Sequence, residues 1–177
     1  MKWAAHCRGW RTSLQQGTAR YASEVVAILA RLGLAATFWL SGQTKVDGLH
    51  INILGGEPLQ LGWPHITAGT LALFRNEYRL PVLPPEIAAV MAASAEHILS
   101  FLLVIGLATR LSAAGILSMT LVIEVFVYPD AWPTHALWAT SSLFLITNGS
   151  GHLSLDWLIF RARSEPLRRH RGCGRHD

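Results

Sequence analysis

Four stretches of this chain are apolar all the way round, not along one stripe. They cover residues 24–42 (EVVAILARLGLAATFWLSG), 85–107 (PEIAAVMAASAEHILSFLLVIGL), 108–128 (ATRLSAAGILSMTLVIEVFVY) and 132–149 (WPTHALWATSSLFLITNG). A helix that serves a soluble core keeps a charged face at a period of 3.6 residues. Here positions 27–41 carry one charge, Arg31, and positions 98–108 carry none. Such helices have no face for water. A bilayer span takes about 20 residues at about 1.5 Å each, with a range of about 17–25. The first three stretches fit, and the fourth reaches this length only when Trp132 and Pro133 are counted in. The pattern predicts an all-α membrane protein, a bundle of four transmembrane helices in one domain over residues 24–160.

Residues 43–84, between the first two spans, follow a different rhythm. Short alternating runs, HINIL and PLQLG, flank Gly55-Gly56 and predict a β-hairpin. Thr67 to Tyr78 places Leu71, Phe74 and Tyr78 on one helical face, which predicts a short amphipathic helix at the interface. Pro81 and Pro84 stop it, and Pro85 suits the first turn of the second span, where its missing N–H removes no bond. The segment is too long and too apolar for a linker. It is expected to fold back as a structured cap over the outer mouth of the bundle. Small residues (Ala88, Ala89, Ala92, Ala93 and Ala95, then Ser112 to Gly115) allow the second and third spans to approach closely.

Composition agrees with the pattern. Charged residues make up 15% of the chain, against about 25% in a soluble domain, and mean hydropathy is +0.32. The pI near 9.6 comes from topology. Arginines crowd the arm of residues 1–23 (Arg8, Arg11, Arg20) and the tail of residues 161–177 (Arg161, Arg163, Arg168, Arg169, Arg171, Arg175). With an even number of spans both termini share one side, and the arginine excess makes that side cytoplasmic. The tail lacks interleaved aromatics, so it fits anionic lipid better than nucleic acid. Residues 1–23 lack the uninterrupted apolar core of a signal peptide. Cys7 and Cys173 form no CxxC motif, which argues against a dithiol redox centre. Trp39, Tyr128, Trp132 and Trp138 fall at outer span ends, where an aromatic belt is expected.

The candidate chemistry lies in the polar residues at depth. An ionisable side chain at mid-membrane costs about 2.5–3.5 kcal/mol or more. Such a group faces the interior, a partner or water. Arg31 sits some seven residues into the first span, and Glu96-His97 near the middle of the second. Arg31 and Glu96 are expected to pair, since each alone is costly and no other opposite charge is expected at that level. The pair is either a structural ion pair or part of a functional site. A second cluster, Lys45, Glu124, His135 and Trp138, belongs to the outer mouth. Glu24 and Asp156 fall at cytoplasmic interfaces reached by solvent. The histidines show no HxxxH-type spacing, so no metal site is expected. No catalytic residue can be assigned.

Three segments together resemble the DoxX family of small bacterial membrane proteins. They are LARLGLAATFWLSGQTKV, then LFRNEYRLPVLPPEIAA leading to AEHILSFLLVIGLATRLSA, and YPDAWPTHALWA ending in GSGHLSLDWLI, spread over Ile28 to Ile159. The resemblance implies a four-helix bundle in the bacterial inner (plasma) membrane and a link to redox biology. Related proteins are subunits of thiosulfate:quinone oxidoreductase or associate with sulfur-transfer and oxidative-stress partners, and others occur beside metal-handling proteins. The expected role is therefore an accessory or quinone-interacting membrane subunit of a redox or sulfur-oxidation system, with quinone as the cofactor to consider. Two other readings are a scaffold whose basic tail recruits a soluble partner, and a small-solute or metal permease. Four spans make a thin pathway, so a permease would require a homodimer.

Overall fold

The computed structural model describes the backbone of residues 2–51, 60–78, 80–81, 83–171 and the side chains of most positions between 20 and 163. The chain is mostly helical. Helix α1 spans Lys2–Gln43 and is followed by strands β1 (Val46–His50) and β2 (Gln60–Ile66). Short helix α2 (Ala68–Leu73) continues into a π-turn at Phe74–Tyr78. Then come α3 (Pro85–Ile105), α4 (Thr109–Phe126), α5 (Trp132–Asn148) and α6 (Leu155–Arg171). Arg20–Gln43 of α1, α3 and α4 are long and apolar enough to cross a membrane. Helix α5 has 17 residues and is the shortest of the long core helices. Residues 2–23, expected as a separate arm, continue α1 without a break.

Helices α1, α3, α4 and α5 form a closed ring, each packed on two neighbours. The ring is inverted relative to a soluble protein. On α3 the buried stripe is small and polar (Ala88, Ala89, Ala93, Glu96, Ser100), while Ile87, Val90, Met91, Ile98, Phe101 and Val104 face outward. Helix α4 repeats this, burying Thr109, Ser112, Ala113, Ile116 and Thr120 and exposing Leu111, Leu121, Val125 and Phe126. Small inward residues bring the backbones together, and aliphatic outward residues suit lipid. Leu34, Ala35, Phe38, Leu103, Ala113, Ile116 and Leu145 form the central apolar core.

A strand pair is present, but it meets the expected runs HINIL and PLQLG only at His50 and at residues 60–62. Strands β1 and β2 pair antiparallel from Val46↔Ile66 to His50↔Gln60, with an irregularity between Asp47 and Leu49. Its predicted Gly55-Gly56 turn lies outside the described residues. The amphipathic helix is also present, capped by Thr67, whose side chain accepts from the Thr70 N–H. Its apolar face packs on α3. Phe74 is buried against Ala88 and Ala89 of α3, with Leu71 and Tyr78 packed around it. Pro85 begins α3 as expected.

The two ends of the ring differ. At the turn end, α3 closes on Gly106 in the left-handed conformation (φ 68°) and α4 begins at Thr109. At the hairpin end, α1 stops low against α3. Gly42 lies against Glu96 and His97, so close that a Cβ there would come within 2.7 Å of the His97 ring. From Glu96 to its start at Pro85, α3 therefore overhangs α1 by roughly 16 Å at 1.5 Å per residue. The π-turn and α2 pack into the space this overhang leaves.

Candidate functional site

The low end of α1 lets Lys45 reach Glu96. The Lys45 Nζ donates to both Glu96 carboxylate oxygens at 2.8 Å and to the Ser41 Oγ and carbonyl at 2.8 and 3.2 Å. The Ser41 hydroxyl donates to Glu96 Oε1 at 3.2 Å. The side chains of Lys45 and Glu96 are only 14% and 4% exposed. Burial of an ion pair is tolerable when the geometry is good and the remaining polar atoms are bonded, and both conditions hold here.

The expected Arg31–Glu96 pair does not form. With Gly42 opposite Glu96, Arg31 lies eleven residues nearer the turn end, roughly 16 Å along the axis. Its guanidinium is instead satisfied by carbonyls. It donates to Leu103 O (2.9 Å), Val104 O (2.9 Å), Ser150 O (3.0 Å) and Leu153 O (2.8 Å). Two of these are at the C-terminus of α3, where the helix dipole favours a cation. Glycine is required at 106, because any Cβ would meet Arg31 Nη2 at 2.7 Å and Ser154 at 2.6 Å.

His97 takes no part in the ion pair. Its Nδ1 lies 2.7 Å from the Ala93 carbonyl and must therefore carry the proton. Its Nε2 accepts from Gln43 Nε2 at 2.8 Å, while Gln43 Oε1 accepts from the Ile51 N–H at 2.8 Å. Trp39 packs edge-on to the same ring and bonds Ile51 O. His97 thus ties the strand after α1 to α3. Arg31, Glu96 and His97, expected as one buried site, belong to three separate arrangements.

The outer cluster is brought together and gains Glu96. A cavity of about 400 Å³ lies between the α2–π segment, α3, α4 and α5. Leu80, Leu83, Met91, Ala92, Ala95, Met119, Val122 and Ile123 make its apolar walls. Ser41, Lys45 and Glu96 line one polar patch, Tyr78 and Tyr128 a second, and His135 with Trp138 a third. His135 is buried, and its Nδ1 meets Glu124 Oε2 at 2.5 Å. In the neutral ring that contact puts the proton on Nδ1 and leaves Nε2 as the acceptor. Trp138 packs at 5.0 Å on His135 and at 5.2 Å on Phe38. The hydroxyls of Tyr78 and Tyr128 are 3.3 Å apart. Burial, then the Tyr128 bond, pushes the Tyr78 phenol well above its ordinary value. One bond between two hydroxyls leaves one O–H for a ligand. Met91, Val122 and Leu83 line the cavity and are also exposed on the outer surface, so its α3–α4 side opens toward lipid.

The opposite end holds a second cluster. Asp156 bonds the Ala108 N–H (2.7 Å) and the Thr109 N–H (2.9 Å), capping α4 from α6. Glu24 accepts from the His152 N–H at 2.7 Å and contacts its Nδ1 at 2.5 Å. These groups line an open cleft of about 580 Å³ with Arg110 and Trp157. Sequence reasoning treated Glu24 and Asp156 as solvent-exposed interface residues and missed their bonds. It also missed Ser41, Gln43 and the tyrosine pair. The four-residue spacing of Ser41 and Lys45 was the available signal. Among the described residues, no three His, Cys, Asp or Glu side chains converge as metal ligands.

The family model described as DoxX matches residues 26–129, more than half of the chain. No curated protein and no solved structure matches it.

Proposed function

The chain belongs to the DoxX family, and on that premise we propose that it is a redox-linked membrane subunit whose outer cavity binds a quinone-class carrier. In this reading α1, α3, α4 and α5 form a four-helix bundle in the bacterial inner membrane. The turn end carries Arg20, Arg110, Arg161 and Arg163 and faces the cytoplasm, with both termini on that side, as the positive-inside rule requires. The hairpin end faces outward. The 17 residues of α5 reach across with Trp132 at the interface.

The single observation that carries the reading is the chemistry of the cavity. Apolar walls with a few convergent polar groups are the ordinary make-up of a small-molecule site. Here the open side faces lipid, which suits a lipid-soluble ligand better than a water-soluble solute. A quinone supplies two-electron, two-proton redox chemistry when bound. The chain's own groups fit such a head group. The free O–H of the tyrosine pair donates to a carbonyl oxygen. His135, oriented by Glu124, holds or releases a proton at Nε2. The Lys45–Glu96 pair sets the charge of the cavity floor, and Met91, Met119 and Trp138 exclude water. Electrons come from a partner dehydrogenase, since the chain has no dithiol motif. A soluble sulfur- or redox-metabolism protein is the partner this reading calls for.

The test is a titration of the purified protein in lipid nanodiscs with a short-chain ubiquinone analogue, followed by tryptophan fluorescence. Saturable quenching is expected, and His135→Ala or Tyr78→Phe should weaken it by about tenfold, equivalent to about 1.4 kcal/mol. No saturable quenching, with or without a partner dehydrogenase, would reject the proposal.

A further inference from the structure

Two groups of Ser and Thr side chains stand apart among the described helix residues. Thr37, Ser118, Thr120, Thr140 and Thr147 each donate to the carbonyl one turn back on their own helix, at 2.7–2.9 Å. That is the usual solution for Ser and Thr in a membrane helix. Ser100, Thr109, Ser112 and Ser142 do not adopt it. Each is at most 1% exposed, and none of their side-chain oxygens has a protein partner. They come from three helices, and all are turned into the ring. Buried polar atoms in native structures are bonded to protein or to ordered water.

Their heights follow from two contacts. Gly115 of α4 packs on Leu99 of α3, and Glu124 of α4 bonds His135 of α5. With these registers, Thr109, Ser112, Ser100, Ser142 and Glu96 climb the ring in that order, in axial steps of roughly 1–5 Å. The bottom of the series, Thr109, lines the cleft at the turn end, and its N–H is held by Asp156. The top, Glu96, lines the outer cavity. The orphan hydroxyls thus stand at heights between a cleft at one end of the ring and a cavity at the other.

We propose that Thr109, Ser112, Ser100 and Ser142 hold a chain of internal waters that carries protons between the cytoplasmic cleft and Glu96. Each hydroxyl accepts a proton on its oxygen and passes its own onward, so no group is consumed. A proton taken up at Thr109 leaves at the Glu96 carboxylate. Arg31 from α1 stands beside the lower part of the path, offset by Asp156 of α6, while Lys45 from α1 faces the upper end. These fixed cations bar metal ions and make proton passage slow. The inference uses the proposed function only for the membrane embedding, and a failed quinone titration would leave it standing.

The experiment is proton flux into proteoliposomes holding a pH-sensitive dye, driven by a potassium–valinomycin potential, with no quinone present. Flux above that of protein-free vesicles is expected. Ser100→Ala/Ser142→Ala should remove most of the excess, and so should Ser112→Ala, a single change kept as a second variant should the double fail to fold. Thr37→Ala and Thr140→Ala should leave it unchanged. Flux no greater than in protein-free vesicles overturns the proposal, as does undiminished flux in the folded serine variants.

Discussion

Replacing Lys45 with Met keeps a stem of similar length and strips Glu96 of its cation. In the native protein Glu96 accepts three bonds, two from Lys45 and one from Ser41, with its side chain 4% exposed. After the change only the Ser41 hydroxyl remains. Breaking a buried pair from one side costs about 3–5 kcal/mol. The Ser41 bond that remains limits the loss, so the lower end of that range is expected. Glu96→Leu should cost less, because the 14%-exposed Lys45 can turn toward the outer surface. The combined Lys45→Met/Glu96→Leu change leaves no unpaired charge and should recover at least about 2 kcal/mol relative to the sum of the single losses. The assay is reversible unfolding in mixed dodecylmaltoside–SDS micelles, followed by far-ultraviolet circular dichroism. The parallel cycle of Arg31→Met with Glu96→Leu should be additive within about 0.5 kcal/mol, as for separated sites. Additivity in the lysine cycle, or strong coupling in the arginine cycle, would refute the geometry.

Other outcomes follow from single contacts. Gly106→Ala should lower stability by about 2 kcal/mol or more, because a strained left-handed backbone is compounded by a clash with Arg31; the same unfolding assay reads it. Asp156→Ala should cost about 1–2 kcal/mol by uncapping α4, with faster amide exchange at Ala108 and Thr109. Tyr78 titrates above its unfolded value, so its contribution is intact below about pH 10 and is lost as pH rises beyond it. A pH–stability profile in micelles should therefore fall in the alkaline range, and Tyr78→Phe should flatten that fall.

Much of the fold was legible because lipid imposes a simple rule. Apolar faces all round marked the three long spans and the prolines marked the start of α3, whereas alternation around Gly55-Gly56 placed strands at 50–54 and 58–62, next to the pair that forms at Val46–His50 and Gln60–Ile66. Leu71, Phe74 and Tyr78 do share one face, which packs on Ala88 and Ala89 of α3. Pairing was less legible. Counting depth along straight spans put Arg31 level with Glu96. The sequence does not show that Gly42 seats α1 low on α3, and the Lys45 stem was not allowed to reach inward along it. Arg31 was expected to need a carboxylate, yet four carbonyls serve as well, and carbonyls carry no sequence signal. Lys45, Glu124, His135 and Trp138 were grouped at the mouth; Lys45, His135 and Trp138 line one cavity, and Glu124 bonds His135. The tyrosine pair escaped notice because its members are 50 residues apart.

The account stands most directly on where a quinone lodges. A photoreactive quinone analogue, irradiated with the full-length protein in native membranes and mapped by peptide mass spectrometry, reports this position. Labelling of Tyr78, Met91, Met119 or Trp138, competed by unlabelled quinone, is the result expected. Labelling that excess quinone does not compete, or that falls only around Trp157 at the turn end, would contradict it.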